Sequence, residues 1–292
     1  MSVPALFVLA TAIWGSTWYV ITFQLGPVPP EVSVVYRFAL ASALLAAWCA
    51  ATGRPLAFRP ATHAWLAFWG AMMFGLSYVA VYYAEAHVAS GLVAGVFATM
   101  AFTCPIGMRL FFGDPLPARI GVAATLGVAG VALLFLPELR VVGDGGSLAR
   151  GIAWALAGTL ISTGGTLAAV RNGAMGLPML PATAWGMFYG ALSAAVVAFA
   201  RGAAWTFDQR ASYGLSLVYL AVPGSVIAFA AYLTLIRRVG AGPAAYVSGS
   251  TPVGAMLLST LYEGYRWSAL ALLGALLAFV GGVLALRPPK SD

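Results

Sequence analysis

The residue best placed to do chemistry is Arg37, a cation standing inside an apolar run. It lies roughly 10 Å into a helix at about 1.5 Å rise per residue. There a guanidinium can pair with a solute's carboxylate. The simpler reading comes first: the side chain snorkels to the outer interface or pairs with Glu31 or Glu85, because snorkelling is routine near span ends. Aromatic residues supply a second kind of chemistry. Trp14 and Trp18 are four residues apart and share a helix face, as do Tyr78 and Tyr82, and Trp185 and Tyr189. With Tyr246 they can line a cavity that takes flat apolar groups by stacking. Plain packing between helices is the competing account. Trp48, Trp65, Trp69, Trp154, Trp205, Tyr262, Tyr265 and Trp267 fit interface belts instead.

Hydroxyls add the polar half of a site. Ser16, Thr17, Thr99, Thr103, Ser162, Thr163, Ser225, Ser248, Ser250 and Thr251 all fall in apolar runs. Each can bond a solute's amino or carboxylate group, or bond back to its own helix, which is the expectation for most of them singly. The candidate solute-binding set is therefore Trp14, Trp18, Tyr78, Tyr82, Thr99, Ser162, Trp185, Tyr246, Ser248 and Ser250. Pro105, Pro223 and Pro252 interrupt helices and free backbone carbonyls, which is tolerable only where protein or a wet cavity satisfies them. They are candidate hinges for gating, with ordinary kinks as the bland reading.

Much chemistry is missing. Of eight acidic residues, Glu31, Glu85, Glu138, Asp144, Asp208 and Glu263 fall at one set of span ends and loops, and Asp114 and Asp292 at the other. His63 and His87 also fall at ends. No mid-span constellation of acids, histidines or nucleophiles supports an enzyme, and no glycine-rich phosphate loop supports ATP-driven pumping. Cys49 and Cys104 read as apolar thiols with no metal site. No cofactor is expected. The lack of a titratable group in the pathway points to uncoupled facilitated export; a carrier coupled through Glu31, Glu85 or Glu263 is the alternative.

The elements that must position these residues follow from composition. The chain has 292 residues, 62% hydrophobic and only 8% charged, too few charges to cover a soluble surface. The charge balance of +7 comes without a basic helix or aromatic-basic strand, so nucleic acid is not an expected partner. Ten apolar runs are long enough to span a bilayer, at about 3–24, 31–52, 62–84, 89–112, 118–136, 149–171, 179–200, 212–236, 241–262 and 267–286. Breaks such as Gly26-Pro27-Val28-Pro29-Pro30 and Asp114-Pro115-Leu116-Pro117 cannot continue a helix. With the N-terminus inside, Arg54, Arg59, Arg109, Arg119, Arg171, Arg237, Arg238, Arg287 and Lys290 are cytoplasmic. Arg140, Arg150, Arg201, Arg210 and Arg266 are external. Nine against five places both termini in the cytoplasm.

The expected architecture is all-α and integral to the membrane: ten transmembrane helices as two inverted five-helix repeats, residues 1–140 and 141–292. Ala94-Gly95 to Cys104-Pro105-Ile106-Gly107 parallels Ala241-Gly242 to Thr251-Pro252-Val253-Gly254, with equal glycine-to-proline spacing. Five spans per half is odd, so the second half enters from the opposite side, a plan that suits alternating access. The partners expected are a small-molecule solute and the lipid bilayer. Close-packing motifs such as Gly91 to Gly95 and Gly186 to Gly190 serve internal contacts in a monomer or a homodimer.

Ile13-Trp14-Gly15-Ser16-Thr17 resembles the opening motif of the EamA-type drug/metabolite transporters. Thr251-Pro252 to Tyr262-Glu263-Gly264 resembles the end of an EamA repeat, and Cys104-Pro105 to Phe112-Gly113-Asp114 a shortened copy of it. The second half has Ser162-Thr163-Gly164 in place of the tryptophan-glycine opening. Within that family the chain looks like the YddG-type amino acid exporters. The resemblance implies a bacterial inner-membrane protein that releases aromatic and other neutral amino acids. A proton-coupled drug or nucleoside exporter of the same family is the alternative, and a lipid-handling or membrane-embedded enzyme the reading from another class.

Overall fold

The computed structural model describes residues 1–116, 118–137, 145–239 and 241–286, leaving aside the side chains at 145, 233, 236, 237, 241–246, 248, 249, 285 and 286. The expected boundary at 140/141 lies outside these residues.

Prolines open helices and glycines close them. Pro30 and Pro60 begin theirs, where a missing N–H costs nothing and a fixed φ is pre-organised. Gly113, at φ 76°, ends another in the left-handed conformation. The result is ten helical passes, with no strand among the described residues. The first is Val3–Ile21, finishing in a tight turn Thr22–Gln24, and the second is Pro30–Ala51. The third joins Pro60–Gly70 through a wide π turn, Ala71–Leu76, to Ser77–Glu85. The fourth is broken into Ser90–Phe97 and Met100–Phe112, and the fifth is Ala118–Phe135. Gly145–Ala174 and Met179–Ala200 follow. The eighth joins Ala211–Ala221 through a second π turn, Val222–Ile227, to Ala228–Val239. Ala241–Tyr262 and Ala269–Leu286 complete the bundle. Eight of these passes are long and apolar enough to cross a bilayer by themselves, and Ala269–Leu284 is a shorter apolar helix.

The helices are arranged as two inverted five-helix repeats. The third and eighth passes each have eleven helical residues, then a six-residue π turn, then a second helical segment. Exchanging each pass with the one five places on preserves the packing. The fifth lies against the tenth and the second against the seventh, so those pairs map onto themselves. The first packs on the eighth and ninth as the sixth packs on the third and fourth. Each half crosses five times, so the second is inverted relative to the first.

Glycines set the closeness of the third pass to the seventh and of the fifth to the tenth. A Cβ added at Gly70 would lie 2.2 Å from the Gly186 carbonyl oxygen, and one at Gly130 would lie 2.6 Å from that of Gly274. In lipid, where apolar burial between helices gains little, such backbone contact is a main source of association.

The expected spans match in number and order, and their details differ. The sixth begins and ends several residues beyond 149–171. Prolines do not mark the breaks as expected: the helices run through Pro105 and Pro252. The break in the fourth pass falls at Ala98-Thr99, where the Thr99 hydroxyl donates to the Val96 carbonyl at 2.6 Å. Only Pro223 sits in an altered turn, the second π turn, and its counterpart at Ala71–Leu76 contains no proline.

Candidate functional site

Arg37 is the largest of the fully buried side chains, 1% exposed. It does not snorkel, and this corrects the simpler sequence reading. Depth along a helix is legible in sequence, but the side facing the bundle is not, and Arg37 faces inward. Its guanidinium lies 4.5 Å from the Tyr78 ring centroid and 5.0 Å from that of Phe38, within cation–π range. Its Nε and Nη1 have no hydrogen-bond partner. Among the described residues no carboxylate lies within 4.0 Å of it. Glu31, one expected partner, is instead bound to Arg201 at 3.3 Å and to the Tyr83 hydroxyl at 2.7 Å.

The π turns bring the surroundings together. A π turn widens the backbone and leaves carbonyls without their usual helical donors. Trp14 Nε1 donates to the Gly224 carbonyl at 3.1 Å, and Ser225 Oγ to the Leu220 carbonyl at 2.9 Å. Gly224 has no side chain to keep this turn from the centre. A Cβ there would sit 2.9 Å from Thr17 Cγ2 and 3.8 Å from Arg37 Nη2. From the other π turn, Phe74 contacts Phe38 and Phe229 with centroids 5.5 Å away in each case. Trp14 meets Phe229 at 5.1 Å, and Tyr78 meets Phe38 at 4.8 Å. Trp14 and Tyr78, from different passes, are thus ends of one continuous aromatic chain through Phe229, Phe74 and Phe38.

Tyr82 is fully buried one turn beyond Tyr78, its hydroxyl against Arg37 but without a hydrogen bond of ordinary geometry. One turn further is Glu85, 7% exposed, with both carboxylate oxygens unpartnered, in reach of Arg37 and Glu263. Sequence reading placed Glu85 correctly at a span end. The inference that the pathway therefore has no buried titratable group does not hold, because this end is covered by neighbouring helices. Trp18 flanks the cluster and packs edge-on against Phe97 at 5.2 Å.

Other expected site residues fall elsewhere. Trp185 donates from Nε1 to the Leu56 carbonyl at 2.8 Å and packs on His63 and Tyr189 at the opposite end of the bundle. It holds the loop after the second pass, and none of its ring contacts reaches the Arg37 cluster. Thr99 caps its own helix break, and Thr17 and Thr163 bond back to Trp14 and Thr159 carbonyls, as expected for most hydroxyls. Thr163 also meets Thr103 at 2.8 Å. Ser162 is buried on the sixth pass. Ser250 is half-buried and has a partner. The side chains of Tyr246 and Ser248 lie outside the described residues.

The end carrying Glu31 is closed by satisfied polar contacts. Glu263 accepts from Ser90 N at 3.2 Å, Ser90 Oγ at 2.6 Å and Ser259 Oγ. Gln24 Nε2 donates to the Tyr213 carbonyl and to Ser216 Oγ. On the loop before the eighth pass, side-chain and backbone hydrogen bonds from Arg210 hold the Asp208 carboxyl below the usual carboxylate range.

A family model described as the EamA-like transporter family matches residues 1–136 and 149–287. The chain is 32% identical over 284 residues to the "Uncharacterized inner membrane transporter YedA" of Escherichia coli K12, covering 92% of this chain and 87% of the relative. It is 26% identical over 275 residues to "Protein PecM" of Dickeya dadantii, covering 92% and 87%. "Protein PagO" of Salmonella typhimurium is 24% identical over 290 residues, covering 98% and 93%. A solved crystal structure of a protein 19% identical in sequence matches with TM-score 0.68 over 97% of this chain and 96% of its own.

Proposed function

The chain belongs to the EamA-like transporter family, and from that premise we propose that it exports small carboxylate-bearing metabolites, foremost neutral and aromatic amino acids. The membrane is a bacterial inner membrane, as in the name of the relative YedA. Alternating access moves the solute. The observation that carries this reading is Arg37: a fully buried guanidinium with two unpartnered nitrogens, ringed by aromatic side chains. Burying an ion costs several kcal/mol unless a partner compensates. A solute carboxylate is such a partner, and the Tyr78 and Phe38 faces suit a flat side chain.

In this reading both termini are cytoplasmic, from the charge count above. The closed end with Glu31 and Glu263 then faces the periplasm. The two π turns, at matching places in the two halves, are the bending points, and Pro223 lies in one of them. Pro105 and Pro252 remain candidate hinges inside continuous helices.

Counterflow in proteoliposomes tests the reading. Labelled phenylalanine is expected to accumulate in vesicles preloaded with unlabelled phenylalanine, saturably and without a pH gradient. No exchange of any amino acid would refute it. The buried Glu85 beside Glu263 favours one second reading, proton-coupled export. Uptake driven by an imposed pH gradient with no solute gradient would select that reading.

A further inference from the structure

We propose that Glu85 is the ammonium-binding group of the solute site, so that Arg37 and Glu85 together select zwitterions over simple acids and simple amines. This rests on Arg37 as the carboxylate site. Tyr78, Tyr82 and Glu85 follow one another at spacings of four and three, which puts them on one helix face. Arg37 lies over the Tyr78 ring at the start of that face, and Glu85 ends it.

The ordinary fate of a buried arginine and a buried glutamate in mutual reach is a direct ion pair. Here they stay more than 4.0 Å apart among the described residues, and each keeps its polar atoms unused: two guanidinium nitrogens on one side, two carboxylate oxygens on the other. Glu263, the other acid in reach, does not fill this role, because Ser90 and Ser259 already occupy it. The unmet capacity is therefore a donor set and an acceptor set within electrostatic reach of each other. An α-amino acid carries the complementary groups, a carboxylate and an ammonium, on one carbon.

The test compares phenylalanine with two relatives, 3-phenylpropionate, which lacks the ammonium, and phenethylamine, which lacks the carboxylate. Each is measured by counterflow in proteoliposomes holding the full chain. The wild type is expected to exchange phenylalanine at least about tenfold faster than either. In Glu85→Gln, phenylalanine exchange falls at least about tenfold while 3-phenylpropionate exchange is unchanged or faster. Glu85→Asp restores the preference. A preference that survives Glu85→Gln, or a parallel fall for both acids, overturns the assignment. Should Glu85→Gln not fold, N-acetylphenylalanine decides on the wild type. It must compete at least about tenfold more weakly than phenylalanine, and equal competition overturns the proposal. If the wild type exchanges none of these solutes, the carboxylate reading itself has failed. If Arg37→Met abolishes phenylalanine exchange while Glu85→Gln keeps the preference, only the Glu85 assignment has failed.

Discussion

Two groups of buried charge sit within a few turns of each other and are treated in opposite ways. At the closed end, Glu31 is held by Arg201 and Tyr83, and Glu263 by Ser90 and Ser259. Beside them, Arg37, Tyr82 and Glu85 are as well buried, and Arg37 Nε and Nη1 and both Glu85 carboxylate oxygens go unpartnered. Folding alone favours satisfying every buried polar group. The first group follows that rule and acts as a structural lock. The second breaks it where two helices change to π turns and an aromatic chain converges. A local violation of the folding rules at a buried, aromatic-lined position is the signature of a site kept for a ligand.

Replacing Arg37 with Met strains this comparison hardest. Phenylalanine counterflow is expected to fall about a hundredfold, within the 2–5 kcal/mol typical of removing one partner from a buried charge pair. The thermal midpoint in detergent stays level or rises, because an apolar side chain of similar volume replaces an uncompensated ion. A large drop in midpoint would make Arg37 structural and erase the contrast. Ser90→Ala probes the opposite group. It removes the Ser90 hydroxyl from the three donors to the Glu263 carboxylate and is expected to lower stability by roughly 1–3 kcal/mol, read as a fall in thermal midpoint. Tyr78→Leu sharpens the account of the aromatic wall. It should reduce exchange of phenylalanine relative to alanine by about threefold to tenfold, as expected for an aromatic contact of about 0.5–1.5 kcal/mol.

The smallest effect concerns Asp208, a partnered acid outside the spans. Its carboxyl is held low by Arg210, so its contribution to stability is fully present above the ordinary carboxylate range and is lost as pH falls through its lowered value. The midpoint difference between wild type and Asp208→Asn is expected to be small, because exposed pairs contribute little. It should shrink as the pH is taken from about 7 to about 3.

Much of the bundle was legible in sequence. Apolar length gave ten passes, and proline and glycine breaks placed their ends. Trp14 and Tyr78 were drawn from unrelated spans, and one aromatic chain joins them. Three things were not legible. Arg37 lies near a span end by count, yet which way a side chain faces depends on the neighbouring helices. Glu85 is terminal on its own pass but covered by others. The π turns have no shared residue pattern, since Val222–Ile227 contains proline and Ala71–Leu76 does not. Trp185 shows the same limit: its i, i+4 spacing with Tyr189 suggests a solute-lining face, and it does not tell that the indole N–H closes on the Leu56 carbonyl of a loop.

A ligand-dependent thermal shift on purified protein reads the central claim without reconstitution, because a solute that binds only the folded state raises the melting temperature by an amount that grows with the logarithm of its concentration above the dissociation constant. Phenylalanine should raise the midpoint of the wild type progressively with concentration and leave that of Arg37→Met unmoved. Equal shifts in the two proteins would mean that the buried guanidinium does not receive the solute.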